Sequence, residues 1–145
     1  MTKILPDLPD DHALAALYAS VGWTGHAADP ARLRRAIEAS TYVRAAWDGD
    51  ALVGLIRASA DAVFLCFVHD LLVAPSHQRR GIGRALVERC LADHPEISRF
   101  TLLTDASPAP VAFYRALGFQ VVGEDEPRLR ALVQLRREGV VEGGA

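Results

Sequence analysis

The stretch from Val73 to Leu86, Val-Ala-Pro-Ser-His-Gln-Arg-Arg-Gly-Ile-Gly-Arg-Ala-Leu, constrains this chain more than any other. An apolar, strand-like run ends at Val73, and Ala74-Pro75 stops it. A basic loop follows, and an amphipathic helix starts inside it, with Ile82, Leu86 and Cys90 on one face. Gly81 and Gly83 let the backbone turn tightly and keep side chains away from the amides. The first turn of a helix carries unpaired N–H groups and the positive end of its dipole, so it suits a phosphate or diphosphate. Arg79, Arg80 and Arg84 add positive charge where such an anion would sit. The bland alternative is a solvated basic surface loop. Other phosphate loops fit poorly. Leu86 stands where the dinucleotide fingerprint wants a third glycine or alanine, and the P-loop Gly-Lys-Ser/Thr is absent.

Around this segment the pattern alternates between helix and strand. Ile4-Leu5 is a short edge strand ended by Pro6. Asp10-Asp11 caps a helix with Leu14, Leu17, Tyr18 and Val21 at helical spacing, and Gly22-Trp23-Thr24-Gly25 breaks it. Asp29 caps a second helix with Pro30 at its first position and Leu33 and Ile37 as its buried stripe. Tyr42 to Trp47 and Ala51 to Ala60 flank Asp48-Gly49-Asp50 as a hairpin, and Ala62 to Val73 is a third strand. After the 82–91 helix come a strand at Phe100 to Leu103, a helix from about Pro110 to Leu117, and a strand at Phe119 to Val122. Leu129 to Arg136 reads as a last strand or as a helix, and residues 138–145 as a fraying tail behind a single domain at 1–137. This order gives an α/β or α+β domain with a mixed sheet.

Composition narrows the function classes. The 145 residues are 50% hydrophobic and 23% charged with a net charge of -2, which suits one soluble domain and gives no basic excess for nucleic acid. The longest apolar run, Ala62 to Val68, is too short for a bilayer, and the N-terminus lacks the apolar core of a signal peptide. Cys66 and Cys90 sit among apolar neighbours and read as buried free thiols in a reducing compartment, hence a cytoplasmic protein. No His/Cys/Asp spacing resembles a zinc or calcium site, so no metal is expected.

Gln78-Arg79-Arg80-Gly81-Ile82-Gly83 resembles the Q/R-x-x-G-x-G/A acyl-CoA signature of the GNAT N-acetyltransferases. Ala109-Pro110-Val111-Ala112-Phe113-Tyr114-Arg115-Ala116-Leu117-Gly118-Phe119, about thirty residues on, resembles the family's A-x-x-F-Y-x-x-x-G-F segment. Val21-Gly22-Trp23, Gly54-Leu55-Ile56-Arg57 and Asp70-Leu71-Leu72-Val73 resemble a small bacterial subgroup. They are also similar to plant chloroplast acetyltransferases described as acting on serotonin or protein lysines. The resemblance implies a GNAT fold: a mixed, mostly antiparallel sheet of six to seven strands, flanked by about four helices and splayed at the cofactor site. It implies acetyl-CoA as cofactor, with Leu71, Leu72 and Val73 along pantetheine and Gln78, Arg79, Arg80, Gly81, Ile82, Gly83 and Arg84 at the diphosphate. It implies a primary amine acceptor, either a small arylalkylamine or polyamine or a protein lysine or N-terminus, with a non-catalytic acyl-CoA sensor as the alternative. Members of the family often dimerise, so a homodimer is among the states open to the chain.

Acetyl transfer to an amine needs a neutral nucleophile, a stabilised oxyanion and a protonated leaving thiolate. An alkylammonium has a pKa of about 10, so roughly one molecule in a thousand is neutral at pH 7. A base therefore helps. Tyr114 takes the family's position for the acid, beside the cofactor. For the base, Asp70 and His69 compete, because both interrupt an apolar strand near the cofactor end. Adjacent strand residues point to opposite faces, so only one of the two is expected to face the amine, and Asp70 is preferred. The structural alternative has Asp70 cap a loop or pair with an arginine. Asp105 departs from the family's asparagine at that strand end, which puts its pantetheine contact in question and opens a role in holding the amine. The backbone N–H of Leu72 or Val73 is the expected oxyanion donor. Trp23, Arg57 and Asp61 are candidates for the acceptor pocket. Cys66 and Cys90 show no activating partner, so transfer is expected directly, in a ternary complex.

Overall fold

A computed structural model describes residues 1–136, and the tail expected at 138–145 lies outside the described residues. Contacts divide the chain into two units, Met1–Leu102 and, among the described residues, 103–136. No helix among the described residues is long and apolar enough to cross a membrane.

In the first unit the chain begins with β1 (Thr2–Leu5) and α1 (Asp11–Ser20). Asp10 caps α1 by accepting the Ala13 N–H at 2.8 Å, and the helix buries Leu14, Leu17 and Tyr18. Gly22, at φ 84°, turns the chain out of it, and Thr24–Ala27 then forms a short α2 where the sequence showed only a break. In α3 (Pro30–Ala39) the Asp29 carboxylate accepts the Arg32 N–H at 3.1 Å, and Leu33 and Ile37 face the core. β2 (Tyr42–Asp48) and β3 (Ala51–Ala60) form the expected hairpin.

The third strand is shorter than expected. β4 runs over Leu65–Val73, because the Asp61 carboxylate accepts the N–H groups of Val63, Phe64 and Leu65 at 2.7–2.9 Å. Those bonds hold a turn where the apolar run suggested strand, since a local Asp can outcompete a ladder for nearby amides. α4 (Ile82–Asp93) and β5 (Arg99–Leu102) complete the unit. The sheet order is β1-β2-β3-β4-β5, antiparallel throughout except for the parallel β4–β5 pair.

Helices cover both faces of this sheet. On one, α1 and α3 pack Leu14, Leu17, Tyr18, Leu33 and Ile37 against Val43, Leu55 and Leu72. On the other, α4 buries Ile82, Leu86, Val87 and Cys90. Gly54 sets how closely α4 approaches, because a Cβ there would lie 3.2 Å from Ile82 Cγ2, Ala46 Cβ and the Leu72 carbonyl oxygen. Gly54→Val is therefore expected to destabilise the protein by about 1–3 kcal/mol through overpacking, read as a lower urea midpoint. An unchanged midpoint would refute the close fit of α4 on β3.

The second unit holds α5 (Pro108–Ala116), two residues earlier at its start than expected, and no regular strand among its described residues. The strand expected at Phe119 to Val122 is absent, and Val122 makes only an isolated bridge to Glu126. The Asp125 carboxylate takes the Val121 N–H at 2.8 Å and the Arg115 guanidinium, while Gly123 turns the chain at φ 91°. Local side-chain bonds thus occupy groups that a ladder would need. Residues 129–136 form neither strand nor helix. The described residues accordingly hold five strands rather than six to seven, and five α-helices rather than about four.

Candidate active site

A β-bulge in β4 organises the first unit's polar cluster. Arg57 of β3 pairs with Asp70, but its neighbour Ala58 pairs with Val68, so His69 is an extra residue in β4. Strict alternation fails there. His69 Nε2 lies 2.7 Å from Ser59 Oγ, and Asp70 Oδ2 lies 2.7 Å from Arg57 Nε. Ser59 and Arg57 are two residues apart on β3 and share a face, so His69 and Asp70 share it as well. The expectation that only one of them could face a ligand is corrected by this bulge. It also turns Asp70 and Leu72 toward α1 while Cys66 and Val68 stay on the α4 side.

Asp70 is the buried charged residue of this cluster, at 6% exposure. Its Oδ2 accepts hydrogen bonds from Tyr18 Oη at 2.8 Å and Arg57 Nε at 2.7 Å. The arginine partner considered for Asp70 is thus Arg57, and the Arg57 guanidinium reaches on to Ser40 Oγ at 3.4 Å. Burial and the Asp70 carboxylate push the Tyr18 phenol well above its ordinary range. Tyr18 also stacks on His26 with ring centroids 5.4 Å apart, and Trp23 lies 5.8 Å from Tyr18 and 5.7 Å from His26. His26 Nδ1 is buried without a hydrogen-bond partner. Burial pulls the His26 imidazole below its usual pKa.

His69 is half-buried, with its ring 5.1 Å from Phe67. Burial, helped by Arg57, lowers its pKa and keeps the imidazole neutral at pH 7. Asp61 is not part of this cluster, since its carboxylate is engaged in the β3–β4 turn.

The end of β4 leaves main chain open. β5 pairs with β4 only from Leu65 to Val68, so His69 to Val73 have no strand on that side among the described residues. The Ala74 N–H reaches Val53 O at 2.8 Å on the β3 side. By alternation the Val73 N–H and C=O turn to the open edge, and so do those of Leu71. Gln78 Nε2 donates to that Val73 carbonyl at 3.0 Å, which ties the basic loop to the strand end. Leu72 instead pairs with Leu55 and belongs to the core. Of the two expected amide donors, the Val73 N–H is the one that turns to the open edge.

The loop has the shape its glycines suggest. Arg79 takes φ 63° and Gly81 φ 82°, and Gly81 stands at the N-cap of α4 with open space where a Cβ would be. The first amides of α4 have no partner within the helix. Arg79, Arg80 and Arg84 are exposed around them, with Arg84 paired to Glu88. The result is a glycine-turned basic loop, of a shape that suits an anion, continuous with an open strand edge.

In the second unit, Tyr114 lies edge-on to Phe113 and Phe119, at 5.0 and 5.6 Å between centroids. Burial pushes its phenol up to about 12. Asp105 accepts the Ser107 N–H at 2.9 Å, and Ser107 hydrogen bonding holds its carboxyl below the usual range. Sequence reasoning missed Tyr18, His26 and Ser59. The one available signal was Tyr18 on an apolar helix face, since a buried tyrosine hydroxyl needs a partner.

Strand edge, glycine cradle and basic loop define the class, and comparison with known proteins agrees. Residues 7–131 match the acetyltransferase (GNAT) domain, so the chain belongs to the GNAT acetyltransferase family. It is 39% identical over 117 residues to a chloroplastic serotonin N-acetyltransferase 2 of Oryza sativa subsp. japonica, covering 76% of this chain and 56% of that protein. Over 71 residues it is 38% identical to the histone acetyltransferase TAP1 of Glycine max, covering 48% of this chain and 30% of that one. It thus spans little more than half the length of these relatives, or less. A GNAT-family acetyltransferase from Streptococcus pneumoniae superposes with a TM-score of 0.78 at 32% identity, covering 94% of this chain and 98% of that one.

Proposed function

We propose that the protein transfers the acetyl group of acetyl-CoA to a small primary amine, an arylalkylamine or polyamine, by direct attack in a ternary complex. The observation that carries this reading is the open edge of β4 running into the glycine cradle of α4. The residues present fit the cofactor: Leu71 and Val73 offer main-chain groups to pantetheine, and the amides and arginines of 79–84 suit a diphosphate. When bound, acetyl-CoA supplies a thioester acyl group.

The chain's own residues supply the rest. His69 is the base: its pKa is lowered and its Nε2 meets only the Ser59 hydroxyl, whereas the Asp70 oxygen is held by the Arg57 cation and the Tyr18 hydroxyl together. The Val73 N–H is the donor for negative charge developing on the acyl oxygen. Tyr114, in the family's acid position, gives its proton to the departing thiolate. The partly exposed Trp23–His26 pair favours an aryl acceptor, as does the relative named for serotonin. A second reading, transfer to a protein lysine, draws on the relative named a histone acetyltransferase.

Thiol release from acetyl-CoA against arylalkylamines, polyamines and lysine peptides tests this. Turnover fastest with a small amine supports the reading. Turnover restricted to peptides favours the second one, and tight acetyl-CoA binding with no turnover on any acceptor would make the chain a sensor. The cradle has its own test. A Cβ at a left-handed position costs about 1–2 kcal/mol, so Gly81→Ala is expected to weaken acetyl-CoA binding about 5–30-fold in calorimetry. Unchanged affinity would remove the 79–84 loop from the cofactor site.

A further inference from the structure

On the α4 side of the sheet, remote from the His69–Asp70 face, three metal-ligating side chains converge. Cys66 of β4, Cys90 of α4 and His94 at the C-terminal end of α4 place a ligand atom each within 4.8 Å of one another. We propose that Cys66, Cys90 and His94 form a binding site for a divalent thiophilic cation, Zn(II) by chemistry, with a water as fourth ligand.

Ligand type comes first. Two sulfurs and one imidazole suit a borderline-soft ion, and three protein ligands with one open position is an arrangement zinc adopts. Spacing agrees. In a tetrahedral zinc site the ligand atoms stand roughly 3.5–3.8 Å apart, given metal–ligand distances of about 2.0–2.3 Å. The three ligand atoms lie within 4.8 Å of one another, so the cluster contracts by about 1 Å to reach that spacing.

The histidine is also held in a suitable form. Its Nδ1 is 2.7 Å from the Cys90 carbonyl oxygen. A carbonyl cannot donate, so Nδ1 carries the proton and the lone pair sits on Nε2. A ring N–H given to a backbone carbonyl is how ligating imidazoles are commonly oriented. Tyr42 and Phe100 meet the ring edge-on at 4.7 and 6.3 Å and restrict its rotation. Nδ1 lies 3.9 Å from Cys90 Sγ, so the ring already sits beside the sulfurs.

Charge selects a divalent ion. Both cysteines are 1% exposed, and an uncompensated charge at that depth is costly. Two thiolates, a neutral imidazole and a divalent cation sum to zero, whereas a monovalent ion would leave a negative charge. The nearby Asp93 is already matched by Arg44 at 3.4 Å and by Tyr42 Oη at 2.7 Å, so it stays outside the ligand set. His94 is only half-buried, which leaves a solvent-side position for the water. Binding releases the two thiol protons. The bound ion clips β4 to α4, the two elements whose ends build the cradle at Val73 and Gly81.

The test uses the full chain, reduced and stripped with chelator, titrated with Co(II) and then Zn(II). The expected result is one Co(II) per chain with an intense near-ultraviolet thiolate charge-transfer band, abolished by one equivalent of Zn(II). Cys90→Ala should at least halve that band and weaken affinity by about 100-fold or more, beyond the 10–100-fold typical of outer-shell losses. His94→Gln, at a half-buried helix end where the fold tolerates change, should weaken binding while keeping the band. Binding without a thiolate band, or with equal affinity in His94→Gln, would overturn the site. So would the absence of any metal uptake by the reduced chain.

Discussion

Arg57→Met is expected to destabilise the protein by about 3–5 kcal/mol, the cost of breaking a buried ion pair from one side. The Asp70 side chain is 8% exposed and that of Arg57 16%, so water cannot replace the lost guanidinium. Only the Tyr18 hydroxyl would remain on Oδ2. Tyr18→Phe removes the weaker partner and should cost about 1–3 kcal/mol, because Arg57 still meets the carboxylate. The pair itself contributes less than its breakage suggests. Desolvating two charges offsets most of their attraction, so Arg57→Met combined with Asp70→Leu should recover much of the single loss. Urea melts of the wild type, Arg57→Met, Asp70→Leu and the double variant give the coupling directly. A single-mutant cost under about 1 kcal/mol would mean that solvent reaches the pair, as at exposed salt bridges.

That network shows which parts of the protein the sequence made legible. Elements set by local chemistry were readable: the Asp10 and Asp29 caps, the hairpin at Gly49, and the strand–loop–helix run through Gly81. What escaped depended on a single skipped residue. The bulge at His69 reverses the facing of everything after it in β4, and no residue type in Val68-His69-Asp70-Leu71 announces it. Pairings across the fold escaped for the same reason. Tyr18 and Asp70 are fifty-two residues apart, and periodicity alone marks Tyr18 only as core. Cys90 and His94 lie one helical turn apart, but Cys66 joins them only through the packing of α4 on β4. Phe119 to Val122 failed differently. Its apolar content suggested strand, yet the nearby Asp125 captured the Val121 amide.

Tyr114→Phe is expected to lower kcat by about 10²–10⁴-fold while leaving acetyl-CoA affinity unchanged, the range for losing a positioned general acid. The ring keeps its edge-on contacts with Phe113 and Phe119 in the variant, so packing is preserved and only the hydroxyl is lost. The pH profile separates this role from that of His69. With its phenol pushed up to about 12, Tyr114 stays protonated across the working range, so its ionisation gives no loss of rate on the alkaline side below about pH 10. His69 acts as a base only when neutral, and its pKa lies below the ordinary 6.5. The acid side of the profile should therefore carry the titration of this imidazole, below 6.5, on top of that of the acceptor amine. In Tyr114→Phe that acid limb should keep its position at a lower plateau. In His69→Gln it should disappear, leaving the titration of the acceptor amine alone. An acid limb that survives His69→Gln assigns the base elsewhere, and wild-type kcat in Tyr114→Phe removes the phenol from the reaction.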